Sequence, residues 1–216
     1  MSSDSSRKVK QALIFEQIPV GPMQNFAYLN GDEKSGVAAV VDPAWDNDKI
    51  LDVARRNKLR IIYAINTHQH PDHVSGNDEL ARATGAKIVA HEASRSRKDI
   101  SVKDNEVLHV GSLELRLIHT PGHSPDHVCV LVNGKLMTGD TLFVGECGRT
   151  DLPGGSSEQM YDSLFNKLMK LPDDVEVYPG HDYGSKPHST IAYEKAHNYV
   201  LTPRTAKEFV LFMKEP

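Results

Sequence analysis

Three histidines and one aspartate lie within a stretch of seven residues, directly after the most apolar strand that the sequence predicts. The predicted strand spans 59–66, and the segment that follows it, 67–73, reads THQHPDH. A strand end and the turn after it can fix the backbone while several imidazoles are directed at one point. Imidazole nitrogens combined with a carboxylate oxygen suit zinc, iron or manganese better than calcium or magnesium. The segment therefore predicts a metal site at the end of this strand.

Three further candidate ligands stand where other predicted strands end. His123 lies in TPGH, Asp140 in TGD and His181 in PGHD, each beside a glycine that lets the backbone turn tightly. Taken singly, each has a more ordinary interpretation as a solvated or capping loop residue. Together with the cluster they form a set of seven candidate ligands: His68, His70, Asp72, His73, His123, Asp140 and His181. This set gives three or four ligands per ion in a two-metal site if Asp140 bridges the ions.

The composition is that of an ordinary globular protein. Hydrophobic residues make up 39% of the 216 residues and charged residues 25%, which argues against disorder. With 25 Lys and Arg against 29 Asp and Glu, the chain lacks the basic charge that attracts nucleic acid or an anionic membrane. No uninterrupted apolar run is longer than five residues, so we expect no segment that spans a bilayer. These features predict a small-molecule partner.

The remaining global features concern compartment and domain organisation. Cys129 and Cys147 lie in dissimilar contexts, which excludes a disulfide framework and makes the cytoplasm the expected compartment. The polar start predicts a flexible arm over 1–10, followed by one domain over 11–216. A homodimer is compatible with this organisation.

Two halves with the same order of elements predict the fold class. Strands are predicted at 11–18, 25–30, 37–41, 59–66 and 87–91, and then at 106–110, 113–119, 127–132, 135–139 and 175–180. Helices are predicted at 46–58, 77–84, 189–198 and 205–213, and from Ser156 onward, where Gln159 suggests a capping box. Each half reads as strands followed by a covering helix. We therefore expect one α/β domain, a four-layer αββα sandwich.

The motifs THQHPDH, TPGH, TGD and PGHD, in this order, resemble those of the metallo-β-lactamase superfamily. The resemblance covers about residues 25–183 and implies the αββα sandwich of that family. It also implies a division of the ligands. One metal would be held by His68, His70 and His123, the other by Asp72, His73 and His181, and Asp140 would lie between them.

Within the superfamily, GECGRTDLPGG and VYPGHDYG are similar to segments of glyoxalase II-like hydrolases and of persulfide dioxygenases. If the protein is a hydrolase of this kind, the resemblance implies two divalent metals. Zinc is the metal we rank first, and iron or manganese are the alternatives. The metals would activate water to attack a small thioester, and Asp72 would be catalytic by helping to hold the nucleophile. A thiol leaving group has a pKa of about 8.5 and hardly needs a general acid.

The dioxygenase reading implies one Fe(II) held by His68, His123 and Asp140, with a persulfide as substrate. The short tail after His181 resembles that of the dioxygenases and puts glutathione as the thiol carrier in doubt. The segment LPGG at 152–155 resembles the compact hydrolases, and we rank thioester hydrolysis first. A non-enzymatic metal-binding or redox-sensing module ranks last, because an open metal position argues against it.

Several further residues have weaker assignments. Arg149 and Lys186 are weak candidates for contact with a substrate carboxylate. His119 and His127 flank the His123 turn, where they could orient that ligand. Cys147 has no identifiable histidine and acid partners, so we expect a loop cysteine and not a nucleophile.

Overall fold

The computed structural model describes residues 13–214, so the arm predicted at 1–10 lies outside the described residues. The first sheet contains β1 (Leu13–Val20), β2 (Asn25–Asp32), β3 (Val37–Val41), β4 (Arg60–Ile65), β5 (Lys87–His91) and β6 (Ile100–Val102), in that spatial order. The second contains β7 (Glu106–Val110), β8 (Leu113–His119), β9 (Val128–Val132), β10 (Lys135–Gly139), β13 (Glu176–Pro179) and β14 (Ser189–Thr190), in the order β14-β13-β10-β9-β8-β7. A separate hairpin joins β11 (Leu142–Phe143) to β12 (Glu146–Cys147).

Both sheets combine antiparallel hairpins with parallel pairs. Strands β1 to β3 are antiparallel, and β3 to β6 are parallel. In the second sheet β7 to β10 are antiparallel, whereas β13 runs parallel to β10. Strand β8 shows why the sheets pack face to face: Leu113, Leu115 and Leu117 are fully buried, and the residues between them are not. These leucines pack with residues of the first sheet, such as Val41 and Ile65, in one inter-sheet core.

Helices cover the outer face of each sheet. The α-helices of the described residues are α1 (Asn47–Arg56), α2 (Pro71–Val74), α3 (Asn77–Thr84), α4 (Ser157–Tyr161), α5 (Ile191–His197) and α6 (Ala206–Phe212), and all but the four-residue α2 contribute to the covering layers. Separate apolar clusters join α1 and α3 to the first sheet, and α4 to α6 to the second. The four-layer αββα sandwich is therefore confirmed. Within residues 13–214, no helix has the length and apolar character needed to cross a membrane.

The second half departs from the predicted helices at two points. Ser156 accepts a hydrogen bond from the backbone N–H of Gln159 at 3.3 Å, as a capping box requires. The Ser156 N–H, however, donates to the Gly122 carbonyl at 2.8 Å and not to the Gln159 side chain, so only half of the predicted capping box forms. The helix changes to π-helical winding over Asp162–Lys167 and to a 3-10 turn over Leu168–Lys170. A capping box instead begins α6, where Thr205 and Glu208 bond reciprocally.

The helix predicted from residue 189 begins only at Ile191. The two residues before it pair with β13, since Ser189 lies opposite Val177 and Thr190 opposite Glu176. The strand predicted at 11–18 extends to Val20, and its described part begins at Leu13. The other predicted strands and helices overlap those of the structure, with small shifts at their ends.

We expect Leu117→Ala to lower the free energy of unfolding by about 2–5 kcal/mol, because it leaves a cavity in the inter-sheet core. Leu211 on α6 is 56% exposed, so Leu211→Ala is a control that should change it by less than ~0.5 kcal/mol. Urea unfolding followed by circular dichroism measures both. Equal small effects for the two variants would contradict the packing described above.

Candidate metal centre

The seven predicted ligands meet at one edge of the sandwich, where strands of both sheets end. Strand β4 ends at Ile65, and the loop and helix α2 after it carry four of the seven. In the second sheet β10 and β13 are parallel neighbours, and Asp140 and His181 follow them within two residues. His123 lies in the loop between β8 and β9. Parallel strands end at the same sheet edge, so side chains after them come together.

The first group of candidate ligands, called the first ligand group below, contains His68, His70 and His123, as the resemblance implies. The Nδ1 atom of His70 lies 3.0 Å from Nε2 of His68 and 3.0 Å from Nε2 of His123. The second group contains Asp72, His73 and His181. Its carboxylate Oδ2 lies 3.3 Å from Nε2 of each of the two histidines. In each group the ligand atoms lie within 4.8 Å of one another, close enough to share one cation.

Asp140 lies between the two groups. Its Oδ2 atom is 3.6 Å from Nε2 of His123 and 3.5 Å from Nε2 of His181, and its Oδ1 is 3.4 Å from Nε2 of His73. One carboxylate therefore faces both groups, which is the position required of a bridging ligand.

Two buried atoms test whether a metal fits this centre. Nε2 of His73 and Oδ1 of Asp140 are both buried, and neither has a hydrogen-bond partner. Leaving a buried polar atom without a partner costs about 1–3 kcal/mol. A cation between them would supply the missing interaction to both. Imidazole nitrogens and carboxylate oxygens are ligands that zinc, iron and manganese accept, so the residues present fit such an ion.

The outer nitrogens of four imidazoles bond to oxygen atoms. Two of these bonds go to side chains: Nδ1 of His68 contacts Thr67 Oγ1 at 3.1 Å, and Nδ1 of His73 contacts Asp42 Oδ2 at 3.0 Å. The other two go to backbone carbonyls: Nδ1 of His123 contacts that of Arg149 at 2.8 Å, and Nδ1 of His181 contacts that of Met23 at 2.9 Å. Because the outer nitrogen donates in each ring, the inner Nε2 is the atom left to bind a metal. These bonds also fix the orientation of each ring.

The electrostatics of the centre keep its carboxylates charged. Burial raises the pKa of Asp72, but a hydrogen bond from His181, the charge of the neighbouring His73 and a hydrogen bond from Asn25 outweigh it and leave this pKa well below its usual value. Burial lowers the pKa of His181, but hydrogen bonds to Asp140 and Asp72 outweigh it and raise this pKa to about 9. Burial also lowers the pKa of His68 well below its usual value. Metal binding would therefore have to displace a proton from His181.

Asp42 supports the centre and was not a sequence candidate. Its Oδ1 atom accepts the backbone N–H of Thr67 at 2.7 Å, and its Oδ2 accepts the Thr67 hydroxyl at 2.7 Å as well as the His73 ring N–H. It follows strand β3 directly, as Asp140 follows β10. Asn25 makes a second such contact, donating to the Asp72 carbonyl and carboxylate at 3.1 and 3.3 Å. An aspartate directly after a buried strand was the available signal for Asp42.

His127 is close to the centre, but it supports a different ligand from the one expected. Its Nε2 accepts the backbone N–H of Asp140 at 3.0 Å, whereas His123 is oriented by the Arg149 carbonyl. A Cβ on Gly139 would lie 2.6 Å from that Nε2, and Gly139 has φ +47°, so only glycine suits this close approach. His119 contacts the Pro125 carbonyl at 2.9 Å and does not orient His123.

The weaker candidates lie outside the ligand set. The exposed Arg149 guanidinium pairs with Asp151, with nitrogen–oxygen distances of 2.6 and 2.7 Å. The Lys186 ammonium lies 3.2 Å above the ring of Tyr193. Substrate contact by either residue stays a prediction. Burial raises the pKa of the Cys147 thiol to about 12, which disfavours the nucleophilic thiolate.

The comparisons with known proteins agree with this geometry. Residues 20–99 and 92–181 match the family model described as metallo-beta-lactamase superfamily. A hydroxyacylglutathione hydrolase of Polaromonas sp. is 39% identical over 179 residues, covering 79% of this chain and 67% of that protein. The mitochondrial persulfide dioxygenase ETHE1 of Homo sapiens is 34% identical over 192 residues, covering 87% of this chain and 75% of that protein.

Among solved structures, that of ETHE1 from Myxococcus xanthus is similar, with a TM-score of 0.89 at 34% identity. The match covers 94% of this chain and 90% of that chain. The family model covers well over half of the sequence, and both curated relatives exceed 30% identity. The chain therefore belongs to the metallo-β-lactamase superfamily and is an enzyme of that family.

Proposed function

We propose that this protein is a metal-dependent hydrolase that cleaves a small thioester, as the name of its hydroxyacylglutathione hydrolase relative indicates for that protein. The observation that supports this most is the position of Asp140, whose Oδ2 lies at similar distances from His123 and His181. Such a carboxylate suits two ions with three further ligands each. We propose two divalent metals, zinc first, with iron or manganese as alternatives.

The buried Nε2 of His73 argues for the second ion. A single ion held by His68, His123 and Asp140 would leave this nitrogen without a partner. The second ligand group is complete, because Asp72 and His181 converge on the same point as His73. With two ions, one would be bound by the first group and the other would give Nε2 of His73 the partner that it lacks.

Bound metals would lower the pKa of a coordinated water toward ~7 and polarise the thioester carbonyl. The chain itself would orient the reactants. Asp72 is the more exposed of the two carboxylates, with 18% of its side chain accessible against 10% for Asp140. Asn25 and the two neighbouring imidazoles hold its carboxylate in place. We assign to Asp72 the role of accepting a hydrogen bond from the attacking water.

The centre is shielded from solvent on one side and partly open on the other. Nearly all of the His68 and His73 side chains are buried, whereas His70 and Asp72 are partly exposed. Substrate would therefore approach from the side of these two residues. A thiolate, the leaving group of a thioester, departs without a proton because thiols have a pKa of about 8.5. This chemistry needs no general acid, and Cys147 with its raised pKa supplies none.

A persulfide dioxygenase is the second candidate. The observation that favours it is the TM-score of 0.89 to ETHE1 from Myxococcus xanthus, which the chain covers over 90% of its length. In that case one Fe(II) would be held by His68, His123 and Asp140, two imidazoles and one carboxylate. The substrate would be a persulfide. A small-molecule substrate is common to both candidates, and a homodimer and the cytoplasm remain predictions.

His73→Ala separates the two candidates. In a two-metal hydrolase it should lose about half of the bound metal and most thioesterase activity, because a ligand of one ion is removed. Metal per chain, measured after purification without added metal, is the main readout. His109 is exposed on β7, so His109→Ala is the control and should keep the wild-type metal content.

The wild-type protein is tested in two assays. One measures oxygen uptake with glutathione persulfide, and the other measures hydrolysis of S-lactoylglutathione. We expect about two metals per chain and hydrolysis without oxygen uptake. One iron per chain, retained in His73→Ala, together with oxygen uptake and intact thioesters would refute the hydrolase and establish the dioxygenase.

Asp140→Ala should abolish activity with either substrate, because the one carboxylate that faces both groups is lost. Its metal content should fall below that of His73→Ala. The control is Asp173→Ala, since Asp173 is an exposed residue that pairs with Lys195. Full metal content and turnover in Asp140→Ala would remove this residue from the centre.

A further inference from the structure

The hairpin β11–β12 connects two supports of the metal centre. It begins two residues after Asp140 and leads through Gly148 to Arg149, whose carbonyl accepts from the His123 ring. A Cβ on Gly148 would lie 1.8 Å from the Asp140 carbonyl oxygen and 3.2 Å from Nδ1 of His123. The backbone after the hairpin therefore packs directly against both ligands. A displacement of this hairpin would move Asp140 and His123 together.

The hairpin also forms a wall beside the second ligand group. The ring of Phe143 meets that of His181 edge-on, with centroids 6.0 Å apart. Tyr183 stacks on His181 at 4.6 Å and meets Phe143 at 5.5 Å. Val144 packs against the backbone of Gly184, where an added Cβ would lie 2.6 Å away. The position of the hairpin therefore determines the surroundings of three ligands.

A buried carboxylate on α5 holds the turn of this hairpin. Glu194 has no exposed surface, and its Oε2 accepts the backbone N–H of Gly145 at 2.9 Å. The same atom accepts from Asn198 Nδ2 at 2.9 Å, and Oε1 accepts the Ser189 hydroxyl at 2.5 Å. Asn198 also donates to the Glu146 carbonyl at 3.1 Å. Glu194 and Asn198 of the C-terminal segment, residues 189–214, thus bond to two consecutive residues of the hairpin, Gly145 and Glu146.

These bonds matter because the hairpin has little structure of its own. Each of its strands is two residues long, and an isolated short hairpin is marginally stable in water. Burying a carboxylate is costly unless donors compensate it, and here three neutral donors do so. No step of the proposed hydrolysis uses Glu194.

We propose that Glu194 is a positioning residue of the metal centre, which keeps Asp140 and His123 in ligand geometry by holding the turn at Gly145. The inference rests on the metal centre of the proposed function. It gives the C-terminal segment a role in metal binding, although none of the seven ligands lies on that segment.

Glu194→Gln tests this inference, because the amide is nearly isosteric with the carboxylate but turns one accepting oxygen into a donor. That donor would face one of the three existing donors. We expect the affinity for Zn²⁺, measured by competition with a chelating dye, to weaken about 10- to 100-fold, as for other residues that support ligands. Circular dichroism would establish that the variant is folded.

The matched control is Glu208→Gln. Glu208 is also a carboxylate of the C-terminal segment that accepts a backbone N–H, that of Thr205 at 2.7 Å, but it caps α6 and does not contact the hairpin. This control should lower the melting temperature without changing the Zn²⁺ affinity. Weakening of the same size in both variants would show a general loss of stability and overturn the proposal.

Asn198→Ser provides a second variant in case Glu194→Gln does not fold. Serine can still accept the backbone N–H of Val200, as Asn198 does at 3.0 Å, but it is too short to reach Glu146. We expect Zn²⁺ affinity to fall about tenfold. A folded variant of either kind that binds Zn²⁺ within twofold of wild type would refute the positioning role. Failure of the wild type to bind Zn²⁺ would instead refute the metal centre itself.

Discussion

Most of the structure around the centre can be understood from the charge on Asp140. The carboxylate lies 3.4 to 3.6 Å from three imidazole nitrogens, at a depth where few of its atoms meet solvent. Imidazoles clustered this closely would repel one another once protonated, and a carboxylate between them offsets that repulsion. A bound metal would require the imidazoles to be neutral. The sheet edge therefore has to deliver two carboxylates and five imidazoles to the same few ångströms. The parallel pair β10 and β13 does this by ending at a common edge.

Backbone groups take part in the contacts that hold three of the seven candidate ligands in place. His123 and His181 donate to the carbonyls of Arg149 and Met23, and the amide of Asp140 donates to His127. Backbone groups have positions fixed by the path of the chain, so ligand geometry is tied to loop geometry. This dependence explains why a short hairpin such as β11–β12 needs support from a neighbouring helix. The metal centre is thereby connected to elements that carry no ligand.

The sequence was informative about this protein where the chemistry is local. We could recognise two local features without knowledge of the fold: the closely spaced histidines after an apolar strand, and the glycines before His123, Asp140 and His181. Asp42 had only a weak signal, its position directly after a buried strand, because a single aspartate there is usually a turn residue. Its contact with His73 joins residues 31 positions apart and cannot be read from local sequence. The π-helical winding after α4 could not be predicted from the sequence either. Its apolar spacing is that of a helix, and packing rather than periodicity determines how tightly that helix is wound.

The division of ligands between the two sheets has a consequence for the order of assembly. The first ligand group lacks His123, and the second lacks His181, until the second half of the chain is present. A nascent chain that has folded only its first sheet holds four of the ligand side chains but neither complete group. The first group is complete once the loop between β8 and β9 supplies His123, whereas the second is complete only after β13 joins β10 and places His181 beside Asp72 and His73. Each candidate ligand group therefore draws on both halves of the chain, and an ion bound in either group would link the first half to the second.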